Sequence, residues 1–421
     1  MVSWLMPIYL RRHLASRLRE FLGQFPVVLL LGARQVGKTT LLENELEGWR
    51  KVDLEDAATH EIVAADPALF LRDRPHRVWF DEAQRCPELF AAIRVAIDRD
   101  RQPGRYVLSG SASPALVRSV SESLAGRAGV LELDHLTTSE THGRAPPNFL
   151  GHLLGVDSAE ALLAALHEEP HIPERLALDR WVAGGYPEPW LLRDPVKRTR
   201  WHEAYLQLVA ERDLSELSAA LRAPAVRRLL RMLAARQGQV VNQAALARDF
   251  GVSSSSMGRF LDILDGTRLW RRLPAYHVNL GKRLVRRPKG YLRDTGLLHA
   301  LSGVVDFDSL RVNPLLGPSW EGFVVSELLA ALGRMDSRPD AYFWSTHQGA
   351  EVDLVLERGG RLWPVEIKHA THLRPMQLRG LRSFLDDFRE RAPFGVVVHR
   401  GEEPSRLSER VVGVPIGWVV A

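Results

Sequence analysis

Cysteine is almost absent from this 421-residue chain, because Cys86 is the only one. A single cysteine excludes an internal disulfide framework and is typical of a reducing cytoplasm, where we expect the protein to reside. No window approaches the roughly 18 uninterrupted apolar residues of a membrane span. The arginine-rich N-terminal stretch also lacks the apolar core and small-residue cleavage site of a secretory signal. We therefore expect no membrane partner.

Lysine is scarce as well, with six residues, so the net charge of +5 comes almost entirely from arginine. The basic residues cluster in a stripe: Arg268, Arg271, Arg272, Lys282, Arg283, Arg286, Arg287, Lys289 and Arg293. Such a stripe is the electrostatic footprint of a protein that binds a phosphate backbone. A solvated basic face, or one that packs on an acidic neighbouring domain, is the alternative.

The length of the chain predicts two to four domains. Pro146 and Pro147 mark a connection, because adjacent prolines continue neither a helix nor an interior strand. We expect an α/β core over residues 1–148 and a helical lid over 149–222. A winged-helix domain over 223–305 and a second α/β domain over 306–421 follow.

A phosphate-binding loop is predicted near the N-terminus. The apolar run Val27–Leu31 has the character of a strand buried on both faces. It leads into a sequence that matches G-x-x-x-x-G-K-[ST] at every fixed position, and the candidate nucleotide-binding residues are Gly32, Ala33, Arg34, Gln35, Val36, Gly37, Lys38, Thr39 and Thr40. Its amides converge on phosphates at a helix N-terminus, Lys38 neutralises them, and Thr39 ligates Mg²⁺. The expected cofactors are ATP and Mg²⁺.

Two carboxylates follow the apolar strand Arg77–Phe80. Asp81 at the strand end is placed to hold Mg²⁺ through water, and Glu82 to polarise the attacking water. An acidic helix cap is the alternative for either residue alone. With the strand Lys51–Leu54, the P-loop strand and the later strand Arg105–Leu108, this order predicts a parallel sheet with crossover helices.

Residues 226–264 have the pattern of a helix-turn-helix. The helix after the turn starts at Ser254, and its N-terminal residues would meet base edges in the major groove. The candidate DNA-binding residues are Ser254, Ser256 and Arg259, joined by Lys282, Arg283, Arg286 and Arg287 of the basic stripe as a wing on the phosphates. A winged helix used only for packing or protein contact is the alternative.

A second group of carboxylates lies near the C-terminus. Glu321 is on an amphipathic helix, Asp353 is on a strand, and Glu366 and Lys368 share one face of the returning strand. The hairpin brings Asp353 beside Glu366. Glu321, Asp353 and Glu366 would hold a second Mg²⁺ or Mn²⁺, and Lys368 would orient or activate water, as in a metal-dependent phosphodiesterase. A salt-bridged Glu-Lys pair in a hairpin is the alternative.

These motifs resemble a family of prokaryotic AAA+ ATPases that carry a C-terminal domain of unknown function. The C-terminal hairpin resembles the PD-(D/E)xK nucleases, including archaeal Holliday-junction resolvases. The resemblance implies that Ser109, or else Ser111, contacts the γ-phosphate and water. Arg127 is either an arginine finger or a member of a surface ion pair. The resemblance also makes a homo-oligomer plausible, in the form of a ring.

Three functions fit these patterns. The first is a DNA-dependent ATPase that remodels or translocates on DNA, with branched DNA one candidate substrate, and whose nuclease-like domain contacts the substrate. The second is a nucleotide-switched regulatory protein whose winged helix binds a protein partner. The third is an ATP-regulated, metal-dependent endonuclease.

Overall fold

The computed structural model describes residues 9–111, 120, 122–214, 222–277, 287–346 and 348–421. They form two compact units, one within Met1–Leu136 and Ile263–Leu269, the other within Thr137–Asp262 and Trp270–Ala421. None of the helices in these ranges is long and apolar enough to cross a membrane. The finer boundaries expected after residues 148, 222 and 305, and the lid role of residues 149–222, stay predictions.

The first unit is built on a five-stranded sheet in which all neighbours are parallel. Its strands are β1 (Val27–Gly32), β2 (Arg50–Asp53), β3 (Val78–Asp81), β4 (Tyr106–Ser111) and β5 (Ala128–Leu133), in the order β2-β3-β4-β1-β5. The helices are α1 (Leu14–Gln24), α2 (Lys38–Glu45), α3 (Ala57–Ala65), α4 (Pro67–Arg72) and α5 (Glu88–Arg99). Strand β1 is buried along its whole length because apolar clusters cover both of its faces.

The second unit begins with helices. They are α6 (Thr138–Thr141), α7 (Phe149–Gly155), α8 (Ala159–Glu168), α9 (Glu174–Ala183), α10 (Pro187–Leu191) and α11 (Pro195–Leu208). A π-helical turn, Val209–Leu214, continues α11. The hydrogen-bonding pattern of this helical segment therefore changes after residue 208.

Three helices and a strand pair follow in the order expected for a winged helix. They are α12 (Ala223–Ala234), α13 (Gln243–Phe250), α14 (Ser254–Gly266), β6 (Trp270–Leu273) and β7 (Lys289–Leu292). The turn between α13 and α14 contains Gly251 in the left-handed conformation that favours glycine, with φ of 84°. Strands β6 and β7 pair antiparallel.

The last part of the chain forms a six-stranded mixed sheet. The helices are α15 (Thr295–Leu301), α16 (Phe307–Arg311), α17 (Leu316–Leu332), α18 (Arg379–Asp387) and α19 (Ile416–Val419). The strands are β8 (Asp340–Ser345), β9 (Glu351–Arg358), β10 (Arg361–Ile367), β11 (Gly395–His399), β12 (Ser405–Ser408) and β13 (Val411–Pro415), in the order β12-β13-β11-β10-β9-β8. The predicted fold class is confirmed: an α/β chain with a parallel five-stranded sheet is followed by a separate C-terminal sheet domain.

Helices α7, α8 and α9 share one apolar core with the C-terminal sheet. Leu153, Leu162 and Trp181 from these helices belong to the same buried cluster as Trp320 of α17 and Val396 of β11. Elements that are distant in sequence therefore depend on each other for burial, which is the main stabilising contribution to such a core.

A polar network lies inside this core around His299. The Ser319 hydroxyl donates to His299 Nε2 at 2.7 Å and accepts from Trp181 Nε1 at 2.9 Å. His299 Nδ1 lies 3.1 Å from the Val182 carbonyl oxygen, which can only accept, so Nδ1 carries the proton. Burial lowers the pKa of His299 to about 4, so the imidazole is neutral near pH 7 and its Nε2 is free to accept from Ser319.

We expect His299 to make the fold sensitive to acid. Its pKa in the unfolded chain is about 6.5, above the folded value of about 4. The stabilising contribution is therefore complete above about pH 6.5 and is lost as the pH falls towards the folded pKa, because only the unfolded chain gains a proton in that window. We compare the loss of unfolding free energy between about pH 7 and pH 4.5 in the wild type and in a His299→Gln variant. The loss should be about 2 kcal/mol smaller in the variant. Urea unfolding at both pH values measures this, and equal losses in the two proteins would contradict it.

Candidate nucleotide site and C-terminal carboxylate cluster

The predicted phosphate-binding loop joins β1 to α2. Gly37 has φ of 98°, a left-handed conformation that a side chain disfavours, and α2 begins at the next residue. A Cβ atom on Gly32 would lie 2.7 Å from the carbonyl oxygen of Leu133 in the neighbouring strand β5. Both fixed glycines are thus required by the local backbone, and the loop brings its amides to the N-terminus of a helix.

Lys38 turns back over the loop. It is 6% exposed, and its Nζ donates to the carbonyl oxygens of Gly32 at 3.1 Å and Ala33 at 2.9 Å. A lysine held in this way presents its charge where the loop amides converge. Of the other predicted loop residues, Arg34 lies near Glu55, with 3.7 Å between Nη2 and Oε1, and the Thr40 side chain is exposed.

Asp81 connects three elements of this site. The Thr39 hydroxyl of α2 donates to its Oδ2 at 3.1 Å, and the Ser109 hydroxyl of β4 donates to its Oδ1 at 2.6 Å. Ser109 in turn accepts from Trp79 Nε1 at 2.7 Å. The contact of Thr39 with Asp81 follows from the sheet order, because all these residues lie at or near the carboxyl ends of β1, β3 and β4.

Ser109 and Ser111 hold different carboxylates. The only proton of the buried Ser109 hydroxyl points to Asp81, whereas the Ser111 hydroxyl lies 3.3 Å from Glu82 Oε2. The side-chain amide of Gln84 also donates to Glu82 Oε2. Glu82 itself has φ of 53°, which is uncommon for a residue other than glycine and is typical of functional sites. The γ-phosphate contact implied for Ser109 or Ser111 stays a prediction.

A hydroxyl and a carboxylate in contact suit Mg²⁺, which prefers hard oxygen ligands. Thr39 and Asp81 would hold the ion, which would supply positive charge to the phosphates of a bound nucleotide. Lys51 of β2, which the sequence patterns do not single out, places a second cation near this point, with its Nζ 4.0 Å from Asp81 Oδ2.

Arg127 forms an ion pair in this structure. Its Nε donates to Asp98 Oδ1 at 2.7 Å, and its Nη1 donates to the Ala125 carbonyl oxygen at 3.1 Å. The guanidinium of Arg127 lowers the pKa of Asp98 through this hydrogen bond. The geometry matches the ion-pair alternative for Arg127, and the arginine-finger role stays a prediction.

The C-terminal carboxylates form a cluster, which includes a lysine that the sequence patterns do not indicate. Asp353 and Glu366 lie on the adjacent antiparallel strands β9 and β10, and Asp353 Oδ2 accepts the Ile367 amide at 2.9 Å. Lys368 pairs with Glu366 and lies 3.9 Å from Asp353 Oδ2. Lys289 of β7 lies among the carboxylates of Glu321, Asp353 and Glu351.

Burial and mutual repulsion shift the ionisation of this cluster. Burial and the charge of Asp353 raise the pKa of Glu321 to about 7 and that of Glu366 to about 8. Burial alone would lower the pKa of Lys289, but Glu321 and the other nearby acids outweigh it and raise that pKa. Among the described residues, no three His, Cys, Asp or Glu side chains are arranged to hold a metal ion. The metal role of Glu321, Asp353 and Glu366 therefore stays a prediction.

The predicted DNA-binding residues are partly described. Ser254 and Arg259 are exposed on the first turns of α14, Ser256 is half-buried and accepts from Arg259 at 3.2 Å, and Arg287 is exposed. Lys282, Arg283 and Arg286 lie outside the described residues.

The basic stripe is not one continuous exposed face. Arg272 pairs with Asp262 at 2.6 Å, and Arg268 pairs with Glu132 at 2.9 Å. Lys289 and Arg293 are 2% and 7% exposed. The charges of these four residues are paired with acids or buried, and the phosphate-binding role of the stripe stays a prediction.

Comparison with known proteins supports the N-terminal assignment. Residues 24–142 match the model of an AAA domain, and this range contains the loop, Asp81 and Ser109. The first unit is thus an AAA domain of the P-loop ATPase class. Residues 174–308 and 316–419 match two domains of unknown function, DUF8612 and DUF4143.

Two mycobacterial proteins are similar over nearly the whole chain. They are uncharacterized protein Rv2008c of Mycobacterium tuberculosis and uncharacterized protein Mb2031c of Mycobacterium bovis. Each is 38% identical over 413 residues, which cover 97% of this chain and 84% of the relative. The chain therefore belongs to the family of these two proteins. Among solved structures, the Walker-type ATPase PABY2304 of Pyrococcus abyssi is 18% identical, with a TM-score of 0.40, over 70% of this chain and 96% of that one.

We expect Lys38 and Glu82 to affect ATP turnover in different ways. Lys38→Met removes the cation that faces the phosphates, so ATP affinity should fall at least tenfold and turnover about 100-fold. Glu82→Gln keeps the shape of the side chain but removes the base, so ATP affinity should stay within about threefold while kcat falls 10²- to 10³-fold. Fluorescent-nucleotide titration and phosphate release measure the two quantities.

The exposed Lys197 provides a matched control. Lys197→Met makes the same chemical change in the second unit, outside the loop sequence, and should bind and hydrolyse ATP as the wild type does. Equal turnover by Lys38→Met and Lys197→Met would contradict the assignment of the loop.

Proposed function

We propose that this protein is an ATPase whose turnover is stimulated by DNA and which uses that turnover to remodel or translocate on DNA. The observation that carries the proposal is the combination, in one chain, of an assembled P-loop site with a helix-turn-helix whose second helix has an exposed N-terminal end. Residues Ser254, Ser255 and Arg259 on that end are accessible. Short hydroxyls and an arginine are side chains that contact phosphates or base edges in such motifs.

A groove beside α12 adds positive charge that the sequence patterns did not indicate. Its volume is about 700 Å³, and it is lined by arginines of α12 and the following turn, by Glu211, and by smaller side chains. Arg228 and Arg236 are engaged with the backbone or side chain of Asp249. Arg227 and Arg231 are exposed one helical turn apart, a spacing that puts both charges on the same face.

The helices therefore add positive charge to the proposed interface beyond the exposed Arg287 of the stripe. Arg227, Arg231 and Arg259 supply exposed charge from α12 and α14, whereas Lys289 and Arg293 of the stripe are buried. Contacts of this kind bind the phosphate backbone without strong sequence preference, and their strength falls steeply with salt. We further propose that the chain works as a homo-oligomer, since AAA ATPases commonly act as rings.

DNA should stimulate ATP turnover at low salt. We expect duplex or branched DNA to raise the rate of phosphate release at least fivefold at about 50 mM salt, and the stimulation to fall sharply by about 200 mM because counterion release drives binding. The combined Arg227→Glu and Arg231→Glu variant, and separately Arg259→Glu, should weaken DNA binding at least tenfold in a fluorescence-anisotropy titration.

Arg311 offers a matched control, because it is an exposed arginine on α16, away from these helices. Arg311→Glu should keep both DNA affinity and stimulation. Absence of both binding and stimulation at low salt would refute the DNA proposal. Slow hydrolysis with tight retention of ADP would instead favour a nucleotide-switched protein that binds a protein partner.

A further inference from the structure

The C-terminal carboxylate cluster contains a buried lysine side chain, Lys289, among its carboxylates. Lys289 Nζ lies 2.8 Å from Glu321 Oε1 and 3.4 Å from Asp353 Oδ1, and it also pairs with Glu351. These carboxylates come from α17 and from β9, while the lysine comes from β7. One ammonium group thus contacts carboxylates from two elements at their point of convergence.

We propose that the ammonium group of Lys289 takes the place of a divalent metal ion in this cluster. The C-terminal domain then binds no metal at Glu321, Asp353 and Glu366. The ion pairs of the cluster link β7 to the C-terminal sheet, and the cluster does not act as a nuclease centre. The residues present do not fit the metal ion that their resemblance to nucleases implies.

The oxygens of Glu321 and Asp353 that face Lys289 are already engaged, whereas Glu366 Oε2 is buried without a hydrogen-bond partner. Glu321 Oε1 accepts from Lys289 and also from the Tyr291 hydroxyl at 2.6 Å. Asp353 directs Oδ1 towards Lys289 and Oδ2 towards the Ile367 amide. A Mg²⁺ ion would have to approach such an oxygen to about 2.1 Å. It would then lie beside a buried ammonium of the same sign, where repulsion is weakly screened.

Lys289 is held in place by its strand. The side chain is 2% exposed, and its Nζ lies 5.7 Å from the centre of the Phe343 ring. The backbone on either side is fixed, because Val241 donates to the Pro288 carbonyl oxygen at 2.8 Å and Gly238 donates to that of Gly290 at 2.9 Å. The ammonium is therefore buried within the cluster and sits on a strand whose backbone is fixed on either side of it.

Each carboxylate of the cluster has a lysine partner, although the carboxylates outnumber the lysines. Four carboxylates meet here, those of Glu321, Glu351, Asp353 and Glu366, and two lysines face them. Lys368 pairs with Glu366 on one side of Asp353, and Lys289 pairs with Glu321 and Glu351 on the other. A buried charge is tolerated when it is paired and hydrogen-bonded, and this arrangement pairs each carboxylate without an added ion.

Calorimetric titration of the nucleotide-free, full-length protein with Mn²⁺ tests the proposal. We expect no site in the wild type that depends on Asp353. We expect Lys289→Ala to gain one Mn²⁺ site with an affinity at least tenfold higher than any in the wild type, and the double variant Lys289→Ala, Asp353→Asn to lose it again. A folded Lys289→Ala protein that gains no such site would overturn the proposal.

A measurement on proteins that keep Lys289 covers the case in which the Lys289 variant does not fold. A ligand that binds only the folded state raises the thermal midpoint. We expect Mn²⁺ to shift the midpoints of the wild type and of Asp353→Asn equally. A larger shift in the wild type, or Mn²⁺-dependent nicking of supercoiled plasmid by the wild type that Glu366→Gln abolishes, would show that the cluster takes a metal. None of these outcomes depends on whether DNA stimulates the ATPase.

Discussion

The nucleotide site depends on the hydrogen bonds that converge on Asp81. This carboxylate ends β3, yet it is held by a hydroxyl from α2 on one oxygen and by a hydroxyl from β4 on the other. Both contacts exist because β4 lies between β1 and β3 in the sheet. The strand order therefore brings the loop lysine, the candidate magnesium ligands and the candidate base to one edge, and no single motif could do so alone.

The two carboxylate sites differ in how they balance charge. In the AAA domain, Asp81 accepts from neutral hydroxyls, and Lys51 stays 4.0 Å away. A metal ion could thus be accommodated beside Asp81 as part of a bound nucleotide complex. In the C-terminal cluster, Lys289 and Lys368 are themselves in contact with the carboxylates. The aspartate of the AAA domain is therefore placed to receive a cation. The carboxylates of the C-terminal cluster are already paired with lysines.

Much of the first unit could be predicted from the sequence, because its signals are local. A fully apolar strand, a loop with two fixed glycines and a strand ending in Asp81 each have a pattern within about ten residues. The order of the five strands confirms the parallel sheet that these patterns imply. The hydrogen bond from Trp79 to Ser109 could not be foreseen, because it depends on which strands are neighbours.

The C-terminal cluster shows where local patterns stop being sufficient. Glu321, Asp353, Glu366 and Lys368 were recognisable by their spacing, and the structure does bring them together. Lys289 was counted as one of many basic residues in a stripe, since net charge along a sequence does not distinguish an exposed cation from a buried one. Only the pairing of β6 with β7, and the packing of β7 near α17 and β9, assigns it to the cluster.

The position of Lys289 also determines how this chain can be divided. A fragment that began at residue 306 would retain all four carboxylates of the cluster but would lose Lys289, one of the two lysines that neutralise them. It would lose Trp181 and the other residues of α7, α8 and α9 that complete its apolar core as well. The six-stranded sheet therefore has its complete apolar core and its full set of ion pairs only when the preceding half of the second unit is present. During synthesis Lys289 is made before the carboxylates with which it pairs, whereas Lys368 follows its partner Glu366.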